Sequence, residues 1–174
     1  VAEEMIHPVE GKILDILKEH VWGFDADSLE GLVTDLLEER KLTLATLEVG
    51  SRGLLASLIS PSPQFKGGLI LNSQQAETMS VPNLGPLVQH EFPSIEAALD
   101  LGEAAIRYFG ADLGLGVAGM AVDTGGKKAV SIYIAVVGRG RERTTCSIHL
   151  PHQLKERAAS AALFELHRFL DELS

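Results

Sequence analysis

The chain of 174 residues has a single cysteine, Cys146. No disulfide can close within it, and a reducing, cytoplasmic setting is expected. Basic residues are the minority, 15 Lys and Arg against 24 Asp and Glu, for a net charge of −9. That balance argues against general nucleic-acid binding, which needs a basic face, yet it leaves room for a small anion at one local site. No apolar run reaches the roughly 18 residues of a membrane span, so no membrane contact is expected. Nothing at the start reads as a signal peptide. The first residue is Val1 rather than Met, as expected of a processed product or a domain cut from a longer chain. Metal-ligand spacing is also lacking. His149 and His152 flank Pro151 with no cluster of further ligands, so they read as a surface loop, and neither a metal nor a cofactor is expected.

What is present suits one globular domain. Hydrophobic residues make up 45% and charged residues 22%, and the length allows about two-thirds of the unfolded surface to be buried. Residues 1–40 read as a helical lead-in and 41–174 as one compact α/β unit. In the lead-in, Pro8 suits a first helical position, and Val9, Ile13, Ile16 and Leu17 mark one face. "VWGFDAD" breaks that helix, and Trp22 within it reads as a core or interface anchor. Asp27 and Glu30 have capping-box spacing for a helix whose stripe is Leu29, Leu32, Val33, Leu36 and Leu37.

"LTLATLEV" (Leu42 to Val49) reads as a buried strand ending at Gly50, followed by a helix from about Arg52 to Ile59 that "SPSP" stops. "GGLIL" is a short strand, "NSQQAETM" a brief helix, and "SVPNLGPLVQHEFP" a loop. Ser94 caps a helix through Phe109. "ADLGLGVAGMA", "AVSIYIAVV" and "RTTCSIHL" are strands, the first two joined by the Gly-rich loop "VDTGGKK", read as a flexible crossing beside the pocket. Gln153 to Leu173 is a long helix with Leu163, Leu166, Phe169, Leu170 and Leu173 inward. Strands alternating with helices, then a hairpin-like pair, predict a three-layer α/β/α sandwich with a mixed sheet.

The turn "GSRG" (Gly50 to Gly53) carries the candidate chemistry. Backbone N–H groups at a helix N-terminus attract anions, and Arg52 adds charge. Ser51 has two readings, a helix cap, which is favoured, or a nucleophile. Arg139, Arg141 and Arg143 alternate around a turn, with a solvated surface preferred over a phosphate site.

These blocks resemble the C-terminal domain of the CinA family, the competence/damage-inducible proteins, which includes nicotinamide-nucleotide amidases. The resemblance rests on "KLTLAT", the turn, "GLLASLI", "GGLIL", "ADLGLGVAG" and "VSIYIAV", and extends to the lead-in "HVWGFDADSLEGLVTDLLEER". In the family the lead-in often follows a molybdopterin-binding-like domain. The family's turn, Ala-Glu-Ser-Cys-Thr-Gly-Gly, falls on Leu47 to Gly53. Glu48 and Gly53 match, Ser51 is similar to the threonine, and the serine nucleophile falls on Val49. The family's Gly-Gly-Val-Val-Ser-Tyr falls on Gly67 to Asn72, placing Asn72 at the tyrosine. Its Asn-Glu-Ala-Lys falls on Gln74 to Glu77, placing Glu77 at the lysine. Its Thr-Gly-Ile-Ala-Gly-Pro begins on Ala118 and Gly119, replacing the threonine by alanine.

The resemblance implies that serine-based amide hydrolysis has lost its residues at Val49, Asn72, Glu77 and Ala118, since a valine cannot attack an amide carbon. It implies a pocket for a nucleotide-like small molecule at Glu48, Gly50, Ser51, Arg52, Gly53 and Gly119, and a homodimer or larger assembly. Three functions stay open: a non-catalytic binding or support domain, an amidohydrolase with rearranged residues, and a dimerisation module with an empty pocket.

Overall fold

In the computed structural model the described residues are 28–81, 85–123, 125–126, 128–149 and 154–173. The predictions for Pro8 to Asp27 and for His152 lie outside them. The elements are α1 (Leu29–Glu39), β1 (Leu44–Val49), α2 (Leu54–Ile59), β2 (Phe65–Leu71), α3 (Ser73–Thr78), β3 (Ser80–Val81), β4 (Gly85–Pro86), α4 (Ile95–Phe109), β5 (Leu113–Asp123), β6 (Lys128–Gly138), β7 (Arg141–His149) and α5 (Leu154–Glu172). The main sheet has the order β2-β1-β5-β6-β7. β1 runs parallel to both neighbours, whereas β5, β6 and β7 are antiparallel in turn. The predicted mixed sheet and three layers are present.

The layering follows from chain direction. The connection from β1 to β2 steps one way through α2, and that from β2 to β5 steps back past β1 through α4. Right-handed crossovers in opposite directions put their helices on opposite faces. One face is covered by α1, α2 and α5, whose large aliphatics pack on Leu44, Leu113, Leu115, Val117, Ile132, Ile134 and Val136. The other carries α4, with Ala97, Ala98, Leu101, Ala104 and Ala105 against Ala45, Leu47, Ala118 and Ala135. Small residues let α4 sit close. A Cβ on Gly116 would overlap the carbonyl of Ala98, so only glycine fits there. All six residues of β1 are buried, as a central parallel strand covered on both faces requires.

Local signals mostly hold, with corrections. Ser28, not Asp27, caps α1, its side chain accepting from Gly31 N. Ser94 caps α4 as predicted. In α5, Leu163, Leu166, Phe169 and Leu170 are buried and Leu173 packs beside them. The loop of residues 80–93 contains a small two-stranded pair, β3 with β4. "VDTGGKK" is largely the β5–β6 hairpin. Its strands reach Asp123 and Lys128, and Gly126 N donates to Asp123 Oδ1 at 2.6 Å.

Arg139 and Arg141 are exposed, as the solvated reading expects, whereas Arg143 is half-buried, and all three have partners. Arg143 Nε donates to Glu165 Oε2 at 2.6 Å and its Nη1 to Glu172 Oε1 at 2.7 Å, while Arg141 donates to the Glu172 carbonyl. Arg139 pairs with Asp112 at 3.5 Å. Sequence spacing missed the acids because they lie on α5 and ahead of β5. Among the described residues no helix is long and apolar enough to cross a membrane.

Candidate functional site

In open α/β sheets the usable crevice lies beyond the carboxyl ends of the strands where connections diverge to opposite faces. Here that place is the end of β1 and β2. Val49 is in register with Leu71 on one side and Ala118 on the other. Asn72 follows Leu71 directly. The sheet therefore brings Val49, Asn72, Ala118 and Gly119 to one end, although they are scattered through the sequence. Val49 and Ala118 are buried, at 3% and 0% exposure. Tyr133 on β6, half-buried, stands opposite Ala118 of β5. Sequence reasoning did not single it out, because only the antiparallel register places it there.

The turn after β1 is tightly built. Gly50 has φ 101°, and a Cβ there would come within 2.8 Å of the Gly119 carbonyl. Two strand ends thus approach closely through glycine alone. Arg52, exposed, also has a positive φ, 53°. Such a conformation costs a non-glycine residue about 1 kcal/mol or more.

Glu48 and Ser51 are both fully buried. The Ser51 hydroxyl donates to Glu48 Oε2 through a short contact. Glu48 Oε1 accepts from Ala56 N at 2.9 Å and from Thr46 Oγ1 at 3.3 Å. The favoured reading of Ser51 as the cap of α2 is corrected: the N-cap is Gly53, with no side-chain cap bond. Glu48 supplies the missing acceptor from the preceding strand, reaching the third residue of the helix. A carboxylate also suits the positive end of the helix dipole. Burial nevertheless pushes the Glu48 carboxyl above its ordinary 4.5, and the bonds from Ser51, Ala56, Thr46 and Gly53 oppose that rise only in part. Sequence gave one clue, a glutamate at a strand end three residues ahead of a serine.

The substituted positions have local duties. Asn72 caps α3 in a reciprocal box, accepting from Gln75 N at 2.8 Å while its own N donates to Gln75 Oε1 at 3.0 Å. Glu77 is exposed on α3, whose buried residue is Ala76. On the α4 side, Asp100 Oδ2 accepts from Gln89 N at 2.7 Å and His90 N at 3.2 Å, and His90 Nδ1 stands 2.8 Å away. No periodicity marks that pair, ten residues apart. Among the described residues no cluster of His, Cys, Asp or Glu is fit to hold a metal.

The comparisons agree with this architecture. Residues 26–170 match the model of the CinA C-terminal domain. A CinA-like protein of Deinococcus deserti is 33% identical over 97% of this chain and 41% of its own length. A second, from Kosmotoga olearia, is 33% identical over 79% of this chain and 35% of its own. The chain thus spans about two-fifths or less of those relatives. A competence-damaged protein (CinA) superfamily protein from Escherichia coli superposes with a TM-score of 0.65 at 21% identity, covering 90% of this chain and 98% of that one. A competence or damage-inducible protein from Enterobacter asburiae gives 0.65 at 19%, covering 85% and 99%. At such identities the structures speak for the fold. The family match over residues 26–170 speaks for descent, and the chain belongs to the CinA C-terminal domain family.

Proposed function

We propose that this domain keeps the CinA C-terminal fold as a binding or assembly module and does not carry out serine-based amide hydrolysis. The observation behind this reading is Val49, a buried alkyl side chain where the family resemblance puts the nucleophile. Acyl transfer needs a nucleophile, a group to take its proton, and donors for the oxyanion. Val49 lacks the first, and Glu77 reverses the charge where the second would stand. Ala118 beside Val49 brings no hydroxyl, and the side-chain oxygen of Asn72 caps α3. Ser51 has a proton acceptor in Glu48 but is a poor substitute because it is fully buried, out of reach of a substrate. A small nucleotide-like ligand at the strand ends and a homodimer or larger assembly complete the proposal. A symmetric pair is the commonest soluble assembly.

The alternative is an amidohydrolase with rearranged residues acting on nicotinamide mononucleotide or a related pyridine nucleotide. Ammonia release from nicotinamide mononucleotide decides between them. No release above the blank is expected from the unmodified chain or from Val49→Ser alone. The four-fold variant Val49→Ser, Asn72→Tyr, Glu77→Lys, Ala118→Thr has the better prospect. Clear turnover by the unmodified chain, abolished by Ser51→Ala, would establish that the chemistry moved. A thermal-shift series with nucleotides separates binding from pure assembly, because native-state ligands raise stability by mass action.

A further inference from the structure

A groove of about 680 Å³ opens on the face of the sheet that α1, α2 and α5 cover. At its base is Leu163 of α5, which is buried. Leu29 of α1, Leu58 of α2, and Ala161 and Phe164 of α5 line it and are only half-buried. Its remaining side is β7, the last strand of the main sheet. Thr145 and Ser147 stand opposite Ile134 and Ile132, which pack into this layer, so their hydroxyls turn towards it as well. Ser160 adds a hydroxyl from α5, and the basic lining residue is Arg157. Of the two acids that line the groove, Glu165 is paired with Arg143 and Glu30 stands in the first turn of α1. The groove also lies where the described residues begin, since Ser28, Leu29 and Glu30 border it.

We propose that this groove is the seat of the chain's own lead-in, with Trp22 as the side chain that fills it. From the sequence, Trp22 reads as a core or interface anchor, and Val21 and Phe24 beside it are also large and apolar. Trp22 precedes Ser28 by six positions, a reach of at most about 22 Å when extended. Arg157 to Phe164 spans about 10 Å of helix, so that reach covers the groove. A tether this short holds Trp22 at an effective concentration in the millimolar range, which favours the chain's own segment over that of a second copy at micromolar concentration. The chemistry also matches. An indole presents a broad apolar body and one N–H that needs an acceptor when buried. Alkyl groups and the Phe164 ring suit the body, and the Thr145 or Ser160 hydroxyl suits the N–H. Asp25 and Asp27 follow Trp22 closely and are opposite in sign to Arg157. The lead-in is then part of the domain's packed layer rather than a linker ahead of it.

Trp22 is the single tryptophan of the chain, so its fluorescence in the full chain reads the proposal directly. A blue-shifted emission is expected, with acrylamide quenching several-fold weaker than for free N-acetyltryptophanamide. Ala161→Arg keeps a good helix former on α5 and puts a charged side chain into the groove. In that variant the emission should move to the red and quenching should rise several-fold. Tyr108→Arg places the same charge on α4, across the sheet, and should change neither. In the unmodified chain, NMR should show NOEs from the Trp22 indole to the Ala161 and Leu58 methyls, a result that does not require any variant to fold. A water-like emission from the unmodified chain overturns the proposal. So does a buried tryptophan that shows no NOE to either methyl, or one that a folded Ala161→Arg chain leaves in place. A blue shift lost on dilution over about two decades in the micromolar range also overturns it, by assigning the groove to a second copy. None of these readings involves chemistry at residue 49, so this proposal and the proposed function fail separately.

Discussion

Glu48 and Asp112 stand at opposite ends of β1 and β5, and their carboxyls are driven in opposite directions. At the far end from the candidate site, Asp112 precedes β5 and Thr43 precedes β1. Asp112 Oδ2 accepts from Thr43 N at 3.0 Å and Thr43 Oγ1 at 2.7 Å, and Asp112 N donates back to Thr43 Oγ1 at 3.0 Å. The Thr43 N–H and hydroxyl hold this carboxyl below its ordinary 3.8, with Arg139 assisting. Glu48 accepts three bonds against two for Asp112, yet burial wins and its carboxyl moves up from 4.5. Hydrogen bonds decide the outcome where water still reaches the group, and desolvation decides it where water does not. The exposed end is a clasp between two strands. The buried end ties a strand, a tight turn and a helix to one side chain.

Removing each carboxyl should separate the two ends most sharply. Glu48→Ala leaves the Ser51 hydroxyl and the Ala56 N–H without their acceptor in a buried place. A loss of about 3 kcal/mol is expected in urea unfolding, against about 1 kcal/mol for Asp112→Ala, where water replaces the lost acceptor. Equal losses would break the comparison. Ser51→Ala should cost about 1–2 kcal/mol. In a double-mutant cycle with Glu48→Gln the two changes should be non-additive, since they share one contact.

The pH response should sharpen it further. Glu48 has a native pKa above its unfolded value, so the folded chain holds that proton to higher pH. The associated stability is whole below 4.5 and is lost as pH rises through the raised native value. Asp112 behaves in reverse: its contribution is whole above 3.8 and is lost as pH falls through the lowered native value. Melting midpoints across acid to neutral pH should show Glu48→Gln flattening the decline that begins above 4.5 and Asp112→Asn flattening the decline that begins below 3.8. The smallest effect expected is a gain. Arg52→Gly places glycine at φ 53° and should add about 0.5–1 kcal/mol, reduced by the lost attraction between Arg52 and the exposed Glu156. A loss instead would mean that the Arg52 side chain stabilises the turn.

Much of the fold was legible because it is written in local chemistry. The run Leu42 to Val49 is apolar and β-rich with Gly50 after it, and it forms β1 from Leu44 to Val49. Ser94 ahead of an alternating apolar face predicted a capped helix and found one. The site was legible only in outline. Family blocks pointed to Val49, Asn72 and Ala118, and the sheet does bring these to one end. The same blocks carried no sign that Asn72 caps α3, that Ser51 faces Glu48, or that Asp100 holds residues 89 and 90. Those contacts depend on which way a turn aims a side chain.

By itself the sequence determined the periodicities, most helix and strand positions, the family, and the absence of a hydroxyl at position 49. These depend on residue type and near-neighbour spacing, which need no third dimension. Tertiary structure decided that Arg143 meets Glu165 and Glu172, that Ala118 borders Val49, and that Glu48 is shut away from water. Each is a matter of which distant segments pack together, and the free energy of a buried carboxyl depends on that packing more than on its neighbours in the chain.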